Sequence, residues 1–140
     1  MVVAPVGLMA CGSDDDPDAD REASNIDTYC DAIARYDELT KSVDVSSISG
    51  MRQGMEEAVE ALRDAAEAAP QEVADEVAAL VAGGEALVGV ARTTEGDDLQ
   101  VWLEELSNAS ADLESEFGDL EAETAAMQTH ASSVCGLEIG

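Results

Sequence analysis

The chain has 140 residues, which is enough for one domain with a hydrophobic core but too few to expect two. Hydrophobic residues make up 46% of the sequence and aromatic residues only 3%, so we expect a core of aliphatic side chains, which suits closely packed helices. The 32 acidic and 6 basic residues give a formal net charge of −26, which repels phosphate groups and therefore excludes a nucleic-acid-binding function.

The first ten residues, MVVAPVGLMA, are apolar but fall short of the roughly 20 residues that a membrane-spanning helix needs. They predict the remnant of a signal peptide over residues 1–10. With the next residue the chain reads LMAC, which resembles the bacterial lipobox, where a Leu and a small residue precede a cysteine that receives a lipid. The resemblance implies that Leu8 and Ala10 direct cleavage before Cys11, and that Cys11 is the lipidation site.

An Asp-rich linker over residues 11–23 is predicted to follow the lipobox. The segment contains no large apolar residue and no helical pattern, which is typical of a solvated tether. No Lys or Arg precedes Arg21, whereas a signal peptide opens with basic residues. The lipoprotein hypothesis therefore expects a start upstream of Met1. The alternative is that the LMAC match is coincidental and that Cys11 is a free thiol.

Apolar residues recur at helical spacing from Ser24 onward, so residues 24–140 are predicted as one helical domain. Three helices are predicted before the last one, over about 25–42, 50–69 and 70–91. Pro70 ends the second helix and is predicted to open the third at its first position. Gly83 and Gly84 lie inside the third helix, where they predict a kink or a close contact with another helix.

The last predicted helix is unusually long. Apolar residues recur without a change of register from Leu99 to Val134, and a single helix of that length measures about 57 Å. Because the other predicted helices measure about 30 Å, half of this helix would lack a partner. We therefore predict an all-α fold, an up-down four-helix bundle whose last helix is bent or broken near residues 107–111.

The chain has three cysteines, and the sequence suggests which two of them form a disulfide. In an up-down bundle the start of the first helix and the end of the last lie at the same end, and Cys30 and Cys135 lie near these two points. A disulfide between them closes a loop of about 105 residues and stabilises the fold by about 4–5 kcal/mol. Such a bond needs an oxidising compartment. The alternative is two buried thiols in a cytoplasmic protein.

Parts of three predicted helices together resemble a known group of proteins. The sequences YCDAIARYDEL, AAPQEVADEVAALV and VCGLEIG are similar to those of small, poorly characterised lipoproteins common in actinobacteria, over about residues 24–139. The resemblance implies that the cysteines of the YC and CGL sequences pair. It implies no activity and no catalytic residues.

Candidate catalytic and ligand-binding side chains are few. His130 is the single histidine, which excludes a multi-histidine metal site. Met127 and His130 share a helix face, and Tyr29 or Tyr36 would approach them across the bundle. The simpler interpretation is a partly exposed histidine near a helix end.

Trp102 is predicted in the core or at one end of the bundle, with a ligand or partner contact as the alternative. Because no P-loop, dinucleotide-binding or GxSxG motif occurs, we predict a non-enzymatic protein with no cofactor and no metal site.

The acidic residues are spread along the whole chain. We interpret them as a solubilising surface, suited to a saline medium that screens their mutual repulsion. The alternative is a cation-binding surface.

The leading hypothesis is a lipid-anchored extracytoplasmic helical domain with a binding or interaction role. The lipid on Cys11 would hold it at the outer face of the cell membrane, with an envelope protein as a candidate partner. The alternative is a small-molecule or metal-carrying helical bundle in the cell envelope. That carrier would use Met51, Met55, the tyrosines and His130 in its interior, and it predicts a sizeable cavity.

Overall fold

The computed structural model describes residues 17–139, and the side chains of residues 25–139. Over this range the chain is all-helical, with no strand, so the predicted all-α class is confirmed. The helices are α1 (Pro17–Lys41), α2 (Ile48–Ala68), α3 (Ala74–Thr93), α4 (Leu99–Phe117) and α5 (Leu120–Cys135). The predicted signal-peptide remnant over residues 1–10 and the predicted lipidation site Cys11 lie outside the described residues.

α1 begins at Pro17, so it includes the second half of the segment that the sequence predicts as a linker. A proline suits the first position of a helix, because the N–H group it lacks would have no partner within the helix. α1 ends at Lys41, whose ammonium group lies 2.7 Å from the Asp37 carboxylate. A basic residue in the last turn complements the negative end of the helix dipole. The first part of the predicted linker, residues 11–16, lies outside the described range.

The Ser47 side chain caps the start of α2 by accepting a hydrogen bond from the Gly50 N–H group at 3.0 Å. α2 ends at Ala68, shortly before Pro70, and the turn that follows differs from the prediction. Pro70 does not open α3, because the Val73 N–H group donates to the Pro70 carbonyl at 3.1 Å and closes a separate turn. α3 therefore begins only at Ala74.

Gly83 and Gly84 lie inside α3, which continues through them to Thr93 without a break. Of the two predicted consequences, the close helix contact is the one observed. A Cβ atom added to Gly83 would lie 2.8 Å from Cδ1 of Leu120 in α5. One added to Gly84 would lie 2.8 Å from Cγ2 of Val59 in α2. These two glycines therefore let α5 and α2 pack closely against α3.

The break in the last predicted helix lies at Gly118 instead of near residues 107–111. α4 continues through 107–111 and ends at Phe117. Gly118 has φ +90°, a backbone conformation that favours glycine. The Asp119 carboxylate then caps α5 by accepting the Ala122 N–H group at 3.0 Å. The helix breaks here because glycine is followed by a capping residue, whereas residues 107–111 contain neither Gly nor Pro.

α3 contacts α2, α4 and α5, while α1 packs along α2 and also touches α5. A cluster of buried side chains lies between α1, α2, α3 and α5. Its members are Tyr29, Ala32, Ile33, Leu62, Ala65, Ala68, Val73, Val77, Leu80, Met127 and Ala131. α4 packs mainly on α3 and leaves Val101 and Leu103 exposed. This cluster is therefore aliphatic, as the composition predicts, apart from Tyr29.

Trp102 anchors α4 to the rest of the molecule. Its side chain is only 1% exposed, which agrees with the predicted place in the core. The Arg52 guanidinium lies 6.0 Å from the centre of the indole ring. The same guanidinium donates to the carbonyls of Ala91 at 2.6 Å and Thr94 at 2.8 Å. Arg52 therefore links α2 to the C-terminal end of α3 and to the first turn of α4.

Candidate functional site

A groove of about 660 Å³ lies at the end of the molecule where α2 and α5 both terminate. We call it the His130 groove. α1 contributes Asn25 and Ile26, α2 and the turn after it contribute residues 68–72, and α5 contributes His130 and Val134. A volume of this size lies within the range of small-ligand sites in proteins.

His130 is held in place from the α1 side. The Tyr29 hydroxyl lies 3.3 Å from Nδ1 of His130, and the two rings meet edge to face with their centres 5.6 Å apart. Burial raises the pKa of Tyr29 to about 12, because the phenolate would lose its hydration in the core. The phenol therefore stays protonated at neutral pH. When it donates to Nδ1, the remaining ring hydrogen of a neutral His130 lies on Nε2 and points away from Tyr29.

Among the described side chains, the Glu72 carboxylate is the one that lies close to the other ring nitrogen. Its Oε2 atom lies 3.6 Å from Nε2 of His130, which is too long for a hydrogen bond. The Glu72 side chain is 76% exposed and the His130 side chain 15% exposed. Water therefore screens this contact, and the Glu72 carboxylate keeps its capacity to accept hydrogen bonds from a ligand.

Two helix C-termini lie beside the groove, since α2 ends at Ala68 and α5 at Cys135. The last carbonyl groups of a helix lack partners within the helix and carry a partial negative charge. Neither α2 nor α5 has a basic residue in its last turn. With the Glu72 carboxylate, these ends place negative charge beside the groove. The N-terminus of α3 also lies close by, at Ala74, and Asp75 and Glu76 in its first turn offset its partial positive charge. Ile26 and Val134 give the groove apolar walls.

Cys30 and Cys135 pair as a disulfide, with Cα atoms 5.5 Å apart. The prediction that these two cysteines meet is confirmed. Cys30 directly follows Tyr29, and Cys135 directly follows Val134. The pair therefore joins α1 to α5 beside the groove.

The structure separates the residues that the carrier hypothesis places together. Tyr29 does approach His130 across the molecule, whereas Tyr36, Met51 and Met55 do not line the His130 groove. Met127, which was predicted to share a helix face with His130, is fully buried in the core. Met55 precedes the end of α2 at Ala68 by 13 residues, a distance of about 20 Å along the helix, and Met51 lies one turn farther. Among the described residues, no group of three or more His, Cys, Asp and Glu side chains is placed to hold a metal ion.

A second groove, of about 280 Å³, is lined by side chains from all five helices. We call it the apolar groove. Met55, Val59, Leu87 and Leu113 are among its walls. Tyr36 also lines it, and burial, together with the charge of the adjacent Asp37, raises the pKa of the Tyr36 phenol.

Sequence reasoning did not single out Glu72 as a site residue. It lies in the sequence AAPQE, directly after a helix that ends at a proline, and one carboxylate among 32 acidic residues carries no signal of its own. The useful signal was the predicted end of the second helix at Pro70, because a helix end places negative carbonyl groups at a defined point.

Protein-family models, curated proteins and solved structures were compared with the chain, and none matches it. None of the described helices combines the length and the apolar character that crossing a membrane requires. The chemistry of the two grooves is therefore the basis for a functional proposal.

Proposed function

We propose that the chain is a non-enzymatic, lipid-anchored protein of the cell envelope whose helical domain binds a ligand or partner in the His130 groove. Cys11 would carry the lipid and hold the domain at the outer face of the cell membrane. In this proposal the domain is an up-down four-helix bundle, with α4 and α5 as the two parts of its fourth helix.

The observation that carries this proposal is the pairing of Cys30 with Cys135, since disulfides persist in oxidising compartments outside the cytoplasm. The LMAC sequence and the resemblance to small actinobacterial lipoproteins support the same location. The LMAC sequence is independent of the disulfide, whereas the resemblance includes the sequences around Cys30 and Cys135.

Binding suits the His130 groove better than catalysis. Its imidazole has a phenol on one side and a carboxylate beyond hydrogen-bond distance on the other. None of the described residues that line the groove is a Ser, Thr or Cys, so these residues supply no hydroxyl or thiol nucleophile for the imidazole to activate. A fixed imidazole between apolar walls can instead orient a bound group.

The mass of the protein purified from its native host tests the anchor. We expect a chain that begins at Cys11, carries a diacylglyceryl group, and contains one disulfide. The variant Cys11→Ser should move from the membrane fraction to the soluble fraction, while the control Ser13→Ala should stay with the membrane. An unmodified Cys11 together with free thiols at Cys30 and Cys135 would contradict the proposal.

A small-molecule carrier is a second candidate, and the apolar groove favours it. An uncharged dye such as Nile red is expected to fluoresce when it enters this groove. Met55→Trp should fill the groove and abolish the signal, whereas Leu103→Trp, on the exposed face of α4, should leave it unchanged. A dye signal that Met55→Trp and Leu103→Trp affect equally would contradict this second candidate.

A further inference from the structure

We propose that the His130 groove recognises an alkylammonium group, carried either by a small amine or by a lysine side chain of a partner. This inference rests on the binding function proposed above and names the chemical class of its ligand. It follows from the charge, the hydrogen-bond acceptors and the apolar walls of the groove.

Most of the charged groups around the groove are negative. The ends of α2 and α5 and the Glu72 carboxylate carry negative charge, and neither helix has a basic residue in its last turn. Asp75 and Glu76 offset the partial positive charge at the nearby N-terminus of α3. The chain has six basic residues, and the five with described side chains all have partners away from the groove. Arg35 pairs with Asp64, Lys41 with Asp37, Arg63 with Glu85 and Arg92 with Glu56, and Arg52 donates to two backbone carbonyls. Among the described side chains, none therefore supplies the positive charge that this groove favours.

The groove offers hydrogen-bond acceptors. An ammonium group has three hydrogen-bond donors and no acceptor. The Glu72 carboxylate supplies acceptor oxygens on one side of the groove, where Ala68 and Ala69 at the end of α2 also line it. Because the Glu72 side chain is 76% exposed, little desolvation is needed before it pairs with a cation. An anion would meet the same negative groups and a chain of net charge −26, which excludes it.

The groove also has apolar walls. Ile26, Pro70 and Val134 line it, and Val134 is 43% exposed. An alkyl chain laid against these side chains removes apolar surface from water, which an inorganic cation cannot do. The described residues also lack a three-ligand cluster for a metal ion. The groove therefore fits a cation that carries an alkyl chain.

The single histidine of the chain makes the test direct, because the imidazole C–H signals of His130 are unique in a proton NMR spectrum. The protein is titrated with n-hexylammonium chloride at fixed pH and fixed ionic strength. We expect a saturable shift of the His130 signals. Ammonium chloride, which lacks the alkyl chain, and n-hexanol, which lacks the charge, are expected to give no saturable shift.

Two variants separate local recognition from the general attraction of an acidic protein for cations. Glu72→Gln should weaken hexylammonium binding by about three- to fivefold. Glu104→Gln removes the same charge from an exposed position on α4 and should leave the affinity unchanged. Circular dichroism of each variant checks that the helices are retained.

A second titration with the peptide acetyl-Gly-Lys-Gly-amide distinguishes the two sources of the ligand. Saturable binding of the peptide supports a lysine of a partner protein, and binding of hexylammonium alone supports a small amine. The proposal is overturned if neither compound shifts the His130 signals, if ammonium chloride or hexanol shifts them equally, or if both variants lose affinity equally. These outcomes do not depend on whether Cys11 carries a lipid. A failure of amine binding is therefore distinguishable from a failure of the lipid anchor.

Discussion

The hydroxyl of Tyr29 lies 3.3 Å from Nδ1 of His130, although 101 positions separate the two residues in the sequence. Tyr29 is fully buried in the core, while His130 lines a groove at the surface. The contact lies beside the Cys30–Cys135 pair. A polar contact and a covalent bond therefore join α1 to α5 at the same end of the molecule.

Alkaline conditions are expected to destabilise the protein through Tyr29. Its pKa is about 12 in the folded state, above the value of about 10 for an unfolded tyrosine, so the folded state binds the phenolic proton more tightly. The stabilisation is fully present below about pH 10 and is lost as the pH rises towards about 12. Urea unfolding at about pH 9 and about pH 11.5 measures the loss.

The variant Tyr29→Phe provides the control for this prediction. It should lose less stability than the wild-type protein between the same two pH values, because its position 29 no longer titrates. Tyr36, whose pKa is also raised, titrates in both proteins and cancels in the comparison. An equal loss of stability in both proteins would show that titratable groups other than Tyr29 cause the alkaline destabilisation.

Reduction of the Cys30–Cys135 disulfide is expected to lower the free energy of unfolding by about 4–5 kcal/mol, because the bond closes a loop of 105 residues. Urea unfolding with and without a reductant measures the change. The double variant Cys30→Ser, Cys135→Ser should match the reduced wild-type protein and should not respond to the reductant. A wild-type midpoint that is unchanged by reduction would contradict the prediction.

The same substitution is expected to have opposite effects at two glycines of α3. Gly89→Ala should stabilise the protein by about 0.5–1 kcal/mol, because a Cβ atom there meets nothing within 4 Å. Gly84→Ala should destabilise it by about 1–3 kcal/mol, because its Cβ atom would meet Val59, whose branched side chain rotates little. Thermal unfolding of the two variants measures the change in stability at each position. Stabilisation at both positions would contradict the prediction and would show that Val59 and α2 move to accommodate the new methyl group.

Arg52 is expected to contribute more to the free energy of unfolding than Arg92, whose ion pair with Glu56 is exposed. Arg52→Met removes two hydrogen bonds to the carbonyls of Ala91 and Thr94 and should cost about 1.5–3 kcal/mol. The control Arg92→Met removes an exposed ion pair with Glu56 and should cost about 1 kcal/mol or less. Trp102 fluorescence should change only in the Arg52 variant, and equal costs for the two variants would contradict the prediction.

The sequence predicted the all-α class and the positions of α2 and α3, but not the start of α1 or the break between α4 and α5. Apolar spacing located α2 and α3 to within a few residues, because one buried face repeats every turn of a helix. The break in the last predicted helix was expected near residues 107–111, because the apolar spacing continues from Leu99 to Val134 and does not show where one helix ends. The break lies at Gly118, where a positive φ and the Asp119 cap end one helix and begin the next.

The candidate site was predictable only in part. Composition determined the acidity, the aliphatic core and the single histidine, and the positions of Cys30 and Cys135 near opposite ends of the helical region predicted their pairing, because these properties depend on the chain alone. Only the tertiary structure decided that Glu72 lies near His130 and that Met55 lies far from it. Both depend on which ends of neighbouring helices meet, and the helical period of a sequence does not contain that information.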